Sequence, residues 1–138
     1  MVFLLREETS TPAEPKPKYQ NSRLTHDDAL AVLAALEQQM SGQKSYLNPN
    51  LTLAQLAKRA GCTQAQVSQV LNDKLSKSFT TYVNEYRIAE AKQVLADEPQ
   101  LNMDIVAERC GFNSSSTFYS TFKKVAGQTP ASFRAQST

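Results

Sequence analysis

The chain of 138 residues has no tryptophan, one histidine, two cysteines and four glycines. Each scarcity excludes something. A lone His26, with Cys62 and Cys110 far apart and no C-x-x-C spacing, supplies neither a metal cage nor a disulfide framework. Two unpaired thiols fit a reducing cytoplasm. No apolar run reaches the roughly eighteen residues that a membrane span needs. Met1-Val2-Phe3-Leu4-Leu5 is apolar but stops at Arg6, too short for a signal peptide. Missing too are a Ser/His/Asp set, a nucleophile elbow, a P-loop and a dinucleotide fingerprint, so no enzyme, cofactor or metal is expected. Neither charge dominates: 15 Lys and Arg stand against 13 Asp and Glu, for a net +2. The distribution is less even. From Arg109 onward come Arg109, Lys123, Lys124 and Arg134 and no acid, a local positive field that attracts polyanions if it is not an ordinary solvated face.

What is present is helical punctuation. Pro12, Pro15 and Pro17, set among hydroxyls, mark residues 1–24 as a disordered tail or linker. Over 25–48 an N-terminal helix and loop follow. Thr25 is its N-cap, Asp27 and Asp28 lie in the first turn, and Gly42 is its stop. Leu30, Leu33, Leu36 and Met40 form one apolar face, which packs on the following domain or makes a dimer seam.

The rest, residues 49–138, is organised by an internal repeat. Leu51 to Gly61 lines up with Leu101 to Gly111 at an offset of 50, with Leu, Ala, Arg and Gly identical at four positions. After one extra residue the register resumes at 51, where Val67 matches Phe118 and Leu71 matches Phe122. One supersecondary unit is therefore used twice. Thr52 with Gln55 and Thr63 with Gln66 spell two capping boxes, which start two helices with a tight turn at Gly61 between them. That is helix-turn-helix geometry, over 51–73 and again over 102–126. Between the copies, Phe79, Tyr82, Val83, Tyr86, Ile88, Ala91 and Leu95 mark a linker helix over 78–96, about 25 Å of rigid rod at 1.5 Å per residue. Thr129-Pro130 opens a final helix over 129–136. No strand pattern appears. The expected fold is all-α: two helix-turn-helix units joined by a long linker helix, preceded by one amphipathic helix and a disordered tail.

Residues 51–134 resemble the DNA-binding domain of the AraC/XylS family of bacterial transcription regulators. The resemblance is carried by Ala107, Gly111-Phe112, Phe122-Lys123-Lys124, Gly127, Thr129-Pro130 and Phe133-Arg134, with Ser78-Phe79 and Tyr86-Arg87-Ile88 in the linker helix. It implies two recognition helices entering successive major-groove segments of double-stranded DNA, in a regulator that is usually an activator and acts as a monomer or weak dimer. RNA polymerase is the implied partner. The Tyr19-to-Tyr46 stretch resembles that of regulators with a membrane-embedded N-terminal part. The chain is therefore expected to be either the output part of such a parent, tethered to the inner membrane, or a complete short regulator.

The helical wheel and the family positions together nominate base-contact candidates. They are Ala65, Gln66, Ser68 and Gln69 in the first unit and Ser115, Ser116, Tyr119 and Ser120 in the second. Gln69 suits a bidentate contact to adenine, and Ala65 a thymine methyl. Family members often carry an arginine or a long polar side chain on these faces, and this chain has none, which shifts weight toward DNA shape and bridging water. Backbone candidates are the helix starts at Thr63 and Ser114, together with Lys77, Arg87, Lys123 and Lys124. Arg87 is equally well read as a structural ion pair with Glu90 or Asp104. The rival function is a helix-turn-helix module docking on protein, RNA polymerase or another regulator, with little DNA specificity.

Overall fold

The computed structural model describes residues 24–137. The tail expected over the first residues therefore lies, but for Leu24, outside the described part.

Every cap legible in the sequence starts a helix. Thr25 accepts a hydrogen bond from the Asp28 amide at 3.0 Å and opens α1, His26–Glu37, with Asp27 and Asp28 at the positive end of the helix dipole. The helix runs on through a π-helical turn, Gln38–Gly42, before a 3-10 turn at Ser45–Leu47. Both capping boxes close as spelled. Thr52 and Gln55 exchange bonds of 3.1 Å at the start of α2, Leu53–Ala60. Thr63 and Gln66 do so at 3.0 and 3.1 Å before α3, Gln64–Val70. Each such cap stabilises its helix by about 1 kcal/mol. Gly61 turns the chain between α2 and α3 at φ +76°, a left-handed backbone that costs a side chain dearly.

Past a second π-helical turn, Leu71–Leu75, Ser78 caps α4, Phe79–Asp97, the linker helix. The second unit follows as α5, Met103–Arg109, and α6, Ser115–Ala126, with Asn102 and Ser114 as caps. Thr129 caps α7, Pro130–Ser137, accepting from the Ser132 amide at 3.1 Å. No strand occurs among the described residues, and the fold is all-α. The register slip of the repeat also has its place. Helices α3 and α6 begin 51 residues apart, so the extra residue falls in the second turn, at Gly111–Ser114.

Two hydrophobic clusters share no residue. The first joins α1, α2, α3 and the start of α4 around Leu36, Met40, Leu56, Val67, Val70 and Leu71, each no more than 1% exposed. The second joins the end of α4 with α5, α6 and α7. At its centre Phe112, Phe118, Phe122 and Phe133 follow one another with ring centroids 5.3 to 5.8 Å apart. The inward-facing pair Phe118 and Phe122 is thus core. α4 carries one cluster at each end.

The apolar face of α1 differs from the expected one. Ala29, Val32, Leu36 and Met40 are buried, Leu33 is half-buried, and Leu30 is 47% exposed. Leu36 and Met40 are on the expected face and Leu33 partly so; only Leu30 falls outside it. Packing shifts the buried face because the small Ala29 and the compact Val32 let α1 approach α3 closely.

Candidate nucleic-acid interface

In the first unit, α3 is held from beneath by Val67, Val70 and Leu71. Ala65 and Ser68 are half-exposed, and Gln64 and Asn72 are exposed, forming the accessible stripe. Gln66 and Gln69 behave otherwise. The Gln66 side-chain carbonyl accepts from the Thr63 amide at 3.0 Å and is spent in the capping box. Gln69, expected to point outward at a base, lines a crevice of about 180 Å³ against α1, with Leu24, Thr25, His26 and Ala29. Its Oε1 is buried there without a hydrogen-bond partner among the described residues. α1 flanks α3 on that side, so this carbonyl oxygen faces α1, while the residue as a whole stays half-exposed. The signal available in the sequence was small Ala29, one turn into a helix that has to sit on something.

Thr63 is also committed, since its amide and hydroxyl both serve the box. The amides left at this helix start belong to Gln64 and Ala65.

In the second unit the Ser114 hydroxyl accepts from the Thr117 amide at 3.2 Å and donates to the Thr117 hydroxyl at 3.0 Å. Ser115 donates its hydroxyl to the Asp104 carboxylate of α5, and Ser120 donates to the Thr117 carbonyl at 3.2 Å. Ser116 is exposed with no partner among the described residues. Tyr119 is 38% exposed and rests edge-on against Phe118. Ser116, Tyr119 and Ser120 are thus the exposed members of this face, Ser120 with its hydroxyl proton already used. Beside them a crevice of about 580 Å³ is lined by Asp104, Glu108, Phe112, Asn113, Ser114 and Ser115, among others. Asp104, read from the sequence only as a possible partner of Arg87, lies here with Glu108, and their charge disfavours a phosphate in that crevice.

The expected positive field thins on inspection. Arg109 pairs with Glu98 at 2.8 Å, and Arg134 donates to the Leu101 carbonyl at 2.5 Å, tying α7 to the loop before α5. Lys77 pairs with Glu85 at 2.5 Å. Lys123 and Lys124, in the last turn of α6, are exposed and meet no carboxylate among the described residues.

Arg87 is neither an ion pair with Glu90 or Asp104 nor a surface cation. Nε donates to the Tyr46 carbonyl at 2.7 Å and Nη2 to the Asn48 carbonyl at 2.9 Å. The guanidinium lies 5.8 Å from the Phe112 ring centroid, and burial lowers its pKa. Its fork is thus committed chiefly to main-chain carbonyls, although the residue as a whole is half-exposed. Cys110 is buried and Cys62 half-buried. Burial pushes the Cys110 thiol up to about 12 and raises that of Cys62, which leaves little thiolate for a redox switch.

Residues 56–136, more than half of the chain, match the family model described as "Helix-turn-helix domain". The chain belongs to this family, in its AraC-type branch. A curated relative, the uncharacterised HTH-type transcriptional regulator YtdP of Bacillus subtilis (strain 168), is 35% identical over 86 residues. That alignment covers 62% of the chain but only 11% of YtdP. Among solved structures, an AraC-type DNA-binding domain-containing transcriptional regulator from Chromobacterium violaceum superposes with a TM-score of 0.68 at 23% identity. It covers 79% of this chain and 96% of the other. The DNA-binding domain of the global transcriptional factor AdpA, in complex with a target DNA, gives 0.65 at 20% identity, covering 77% and 91%. The AraC-type helix-turn-helix family is one of DNA-binding transcription regulators, not of enzymes. No helix among the described residues is long and apolar enough to cross a membrane.

Proposed function

We propose that the chain is the sequence-specific DNA-reading part of a cytoplasmic transcription activator, with α3 and α6 lying in successive major-groove segments on one face of the duplex. The observation that supports this best is the duplication itself. Two separately capped recognition helices are carried by two cores at opposite ends of one rod, so a single chain offers what a simple repressor obtains by dimerising. Domain limits of 49–138 for the DNA-reading unit go with this reading. The AdpA domain, bound to its target DNA, is a solved example of a similar fold on a duplex.

Base readout falls to Ala65 and Ser68, with Gln64 and Asn72 beside them, and to Ser116 and Tyr119 in the second unit. Short side chains discriminate weakly, so local DNA shape and bridging water carry part of the specificity. Free amides at Gln64, Ala65, Ser115 and Ser116, with Lys123 and Lys124, are the backbone contacts. Activation implies contact with RNA polymerase on the DNA-distal side.

The deciding experiment is selection of bound duplexes from a random library, followed by binding across a salt series. A bipartite motif with half-sites about one helical turn apart supports the proposal. A single short motif would mean that one unit alone reads bases. Weak binding without a motif, lost in salt, would favour the protein-docking reading instead.

A further inference from the structure

The two clusters touch the same rod at different ends, and one arginine sits where they meet. Tyr82 and Val83 belong to the first cluster, with Tyr86 packed on it, and Ile88 begins the second. Arg87 lies between them and reaches both sides. Toward the first unit its planar fork donates to the carbonyls of Tyr46 and Asn48, in the segment that leads into α2. Toward the second it lies against Phe112, in the turn before α6. Asn84 steadies the fork through Oδ1, 3.4 Å from Nη1.

Three further observations fall at this junction. Gly111, in the turn of the second unit, has no room for a side chain: a Cβ there would lie 2.5 Å from the Tyr46 carbonyl oxygen and 3.1 Å from Leu47 Cα. Backbone of the second unit therefore rests directly on backbone of the first. The Tyr46 hydroxyl donates to Glu90 of α4 at 3.1 Å, and Lys44 pairs with the same carboxylate at 3.5 Å. Every one of these contacts joins the segment before α2 to residues from Arg87 onward. Tyr46 is itself a buried member of the first core and Phe112 of the second, so the junction couples one core to the other.

We propose that this latch is a specificity-determining device: Arg87, with Gly111 and Tyr46, holds the two helix-turn-helix units at one angle and so sets the spacing between the half-sites that the chain accepts. The inference rests on the DNA-reading function proposed above. Its leverage is geometric. With half-sites about 34 Å apart, each recognition helix works at the end of an arm of about 17 Å, and a tilt of about 12° moves it by about one base pair. Each unit packs on one end of the rod and has only that packing to fix its tilt, whereas a fork bonded to two carbonyls resists such a tilt directly. Lysine cannot replace it, because a single ammonium cannot donate along two fixed directions from a plane.

The test uses the full chain and two readouts. Spin labels at Lys58→Cys and Val125→Cys, both on exposed positions of the helices flanking the latch, are placed in a Cys62→Ser background; Cys110 is fully buried. Their distance distribution is measured without DNA, for the parent and with Arg87→Lys added. In parallel, duplexes carrying the selected half-sites with one base pair inserted or deleted between them are bound by unlabelled parent and variant. The parent is expected to lose about tenfold in affinity per inserted or deleted pair, and Arg87→Lys no more than about threefold. The variant's distance distribution is expected to widen about twofold. Tyr46→Phe, which removes only the bond to Glu90, is expected to act in the same direction more weakly and serves where Arg87→Lys does not fold. Folded variants with unchanged distances, or with widened distances and unchanged spacing preference on a bipartite site, overturn the latch and leave the functional proposal standing. A parent that binds no bipartite duplex overturns the functional proposal, and the spacing claim with it, whatever the labels report.

Discussion

Gly61 and Gly111 occupy matching positions in the two copies of the repeat, and their replacement by alanine separates backbone strain from packing between the units. Both have positive φ, +76° and +92°. A Cβ at Gly61 would meet nothing within 4 Å, whereas one at Gly111 would lie 2.5 Å from a backbone oxygen. Gly61→Ala therefore pays for left-handed backbone only, about 1–2 kcal/mol. Gly111→Ala adds an overpacking cost of about 1–3 kcal/mol, since the nearest neighbour, the Tyr46 carbonyl oxygen, is main chain and cannot rotate away. The expected losses are about 1.5 and about 3.5 kcal/mol, and Gly127→Ala, with φ +79° and open space around it, should behave like Gly61→Ala. Urea denaturation of the three variants with equal m-values measures the difference as a shift in midpoint. Equal losses at Gly61 and Gly111 would refute the close approach of the second turn to Tyr46, and would remove one support of the latch.

Other consequences are as open to measurement. Lys123→Ala should weaken binding to all duplexes alike and make the logarithmic salt slope shallower by about 0.9, and Lys124→Ala the same, while Lys77→Ala, already paired with Glu85, should change it little. A change in the selected motif at Lys123 would contradict its assignment to the phosphate backbone. Gln69→Leu removes a buried carbonyl that lacks a partner among the described residues and should raise stability by about 1 kcal/mol in thermal or urea unfolding, with little change of base preference. A lost motif would return Gln69 to the DNA-facing surface. The Glu37 carboxyl is held below its ordinary pKa by hydrogen bonds from Ser41 and Tyr86. Its contribution to stability is thus present above the unfolded-state value and lost as pH falls through the lower folded value. Glu37→Gln should flatten the acid limb of the stability profile, and an unchanged limb would count against these bonds.

Much of the architecture was written locally. Thr25, Thr52, Thr63, Ser78, Asn102, Ser114 and Thr129 each cap the helix they were positioned to cap, because a cap is decided within four residues and needs no distant partner. The repeat was legible for the same reason, and with it the all-α class and the inward pair Phe118 and Phe122. Where several side chains competed for one environment, the sequence was silent. It did not say which of two overlapping stripes α1 would bury, since Leu30 and Val32 differ by packing and not by hydrophobicity. Nor did it say that the Gln69 side-chain oxygen would face α1, or that Arg109 and Lys77 would pair with acids while Arg134 bonds a main-chain carbonyl.

Arg87 shows the division most plainly. Its charge and its place in the linker helix were visible in the sequence, and both an acid and a phosphate were reasonable partners for it. Its actual acceptors, the carbonyls of Tyr46 and Asn48, lie 41 and 39 residues away along the chain. Helix limits, turns and the use of one unit twice follow from propensity, capping and periodicity, which act over one or two turns and are therefore written in consecutive residues. The identity of a partner across the fold depends on which surfaces approach and which polar groups are left unsatisfied when they do, and that is settled only when the two units close on the same rod.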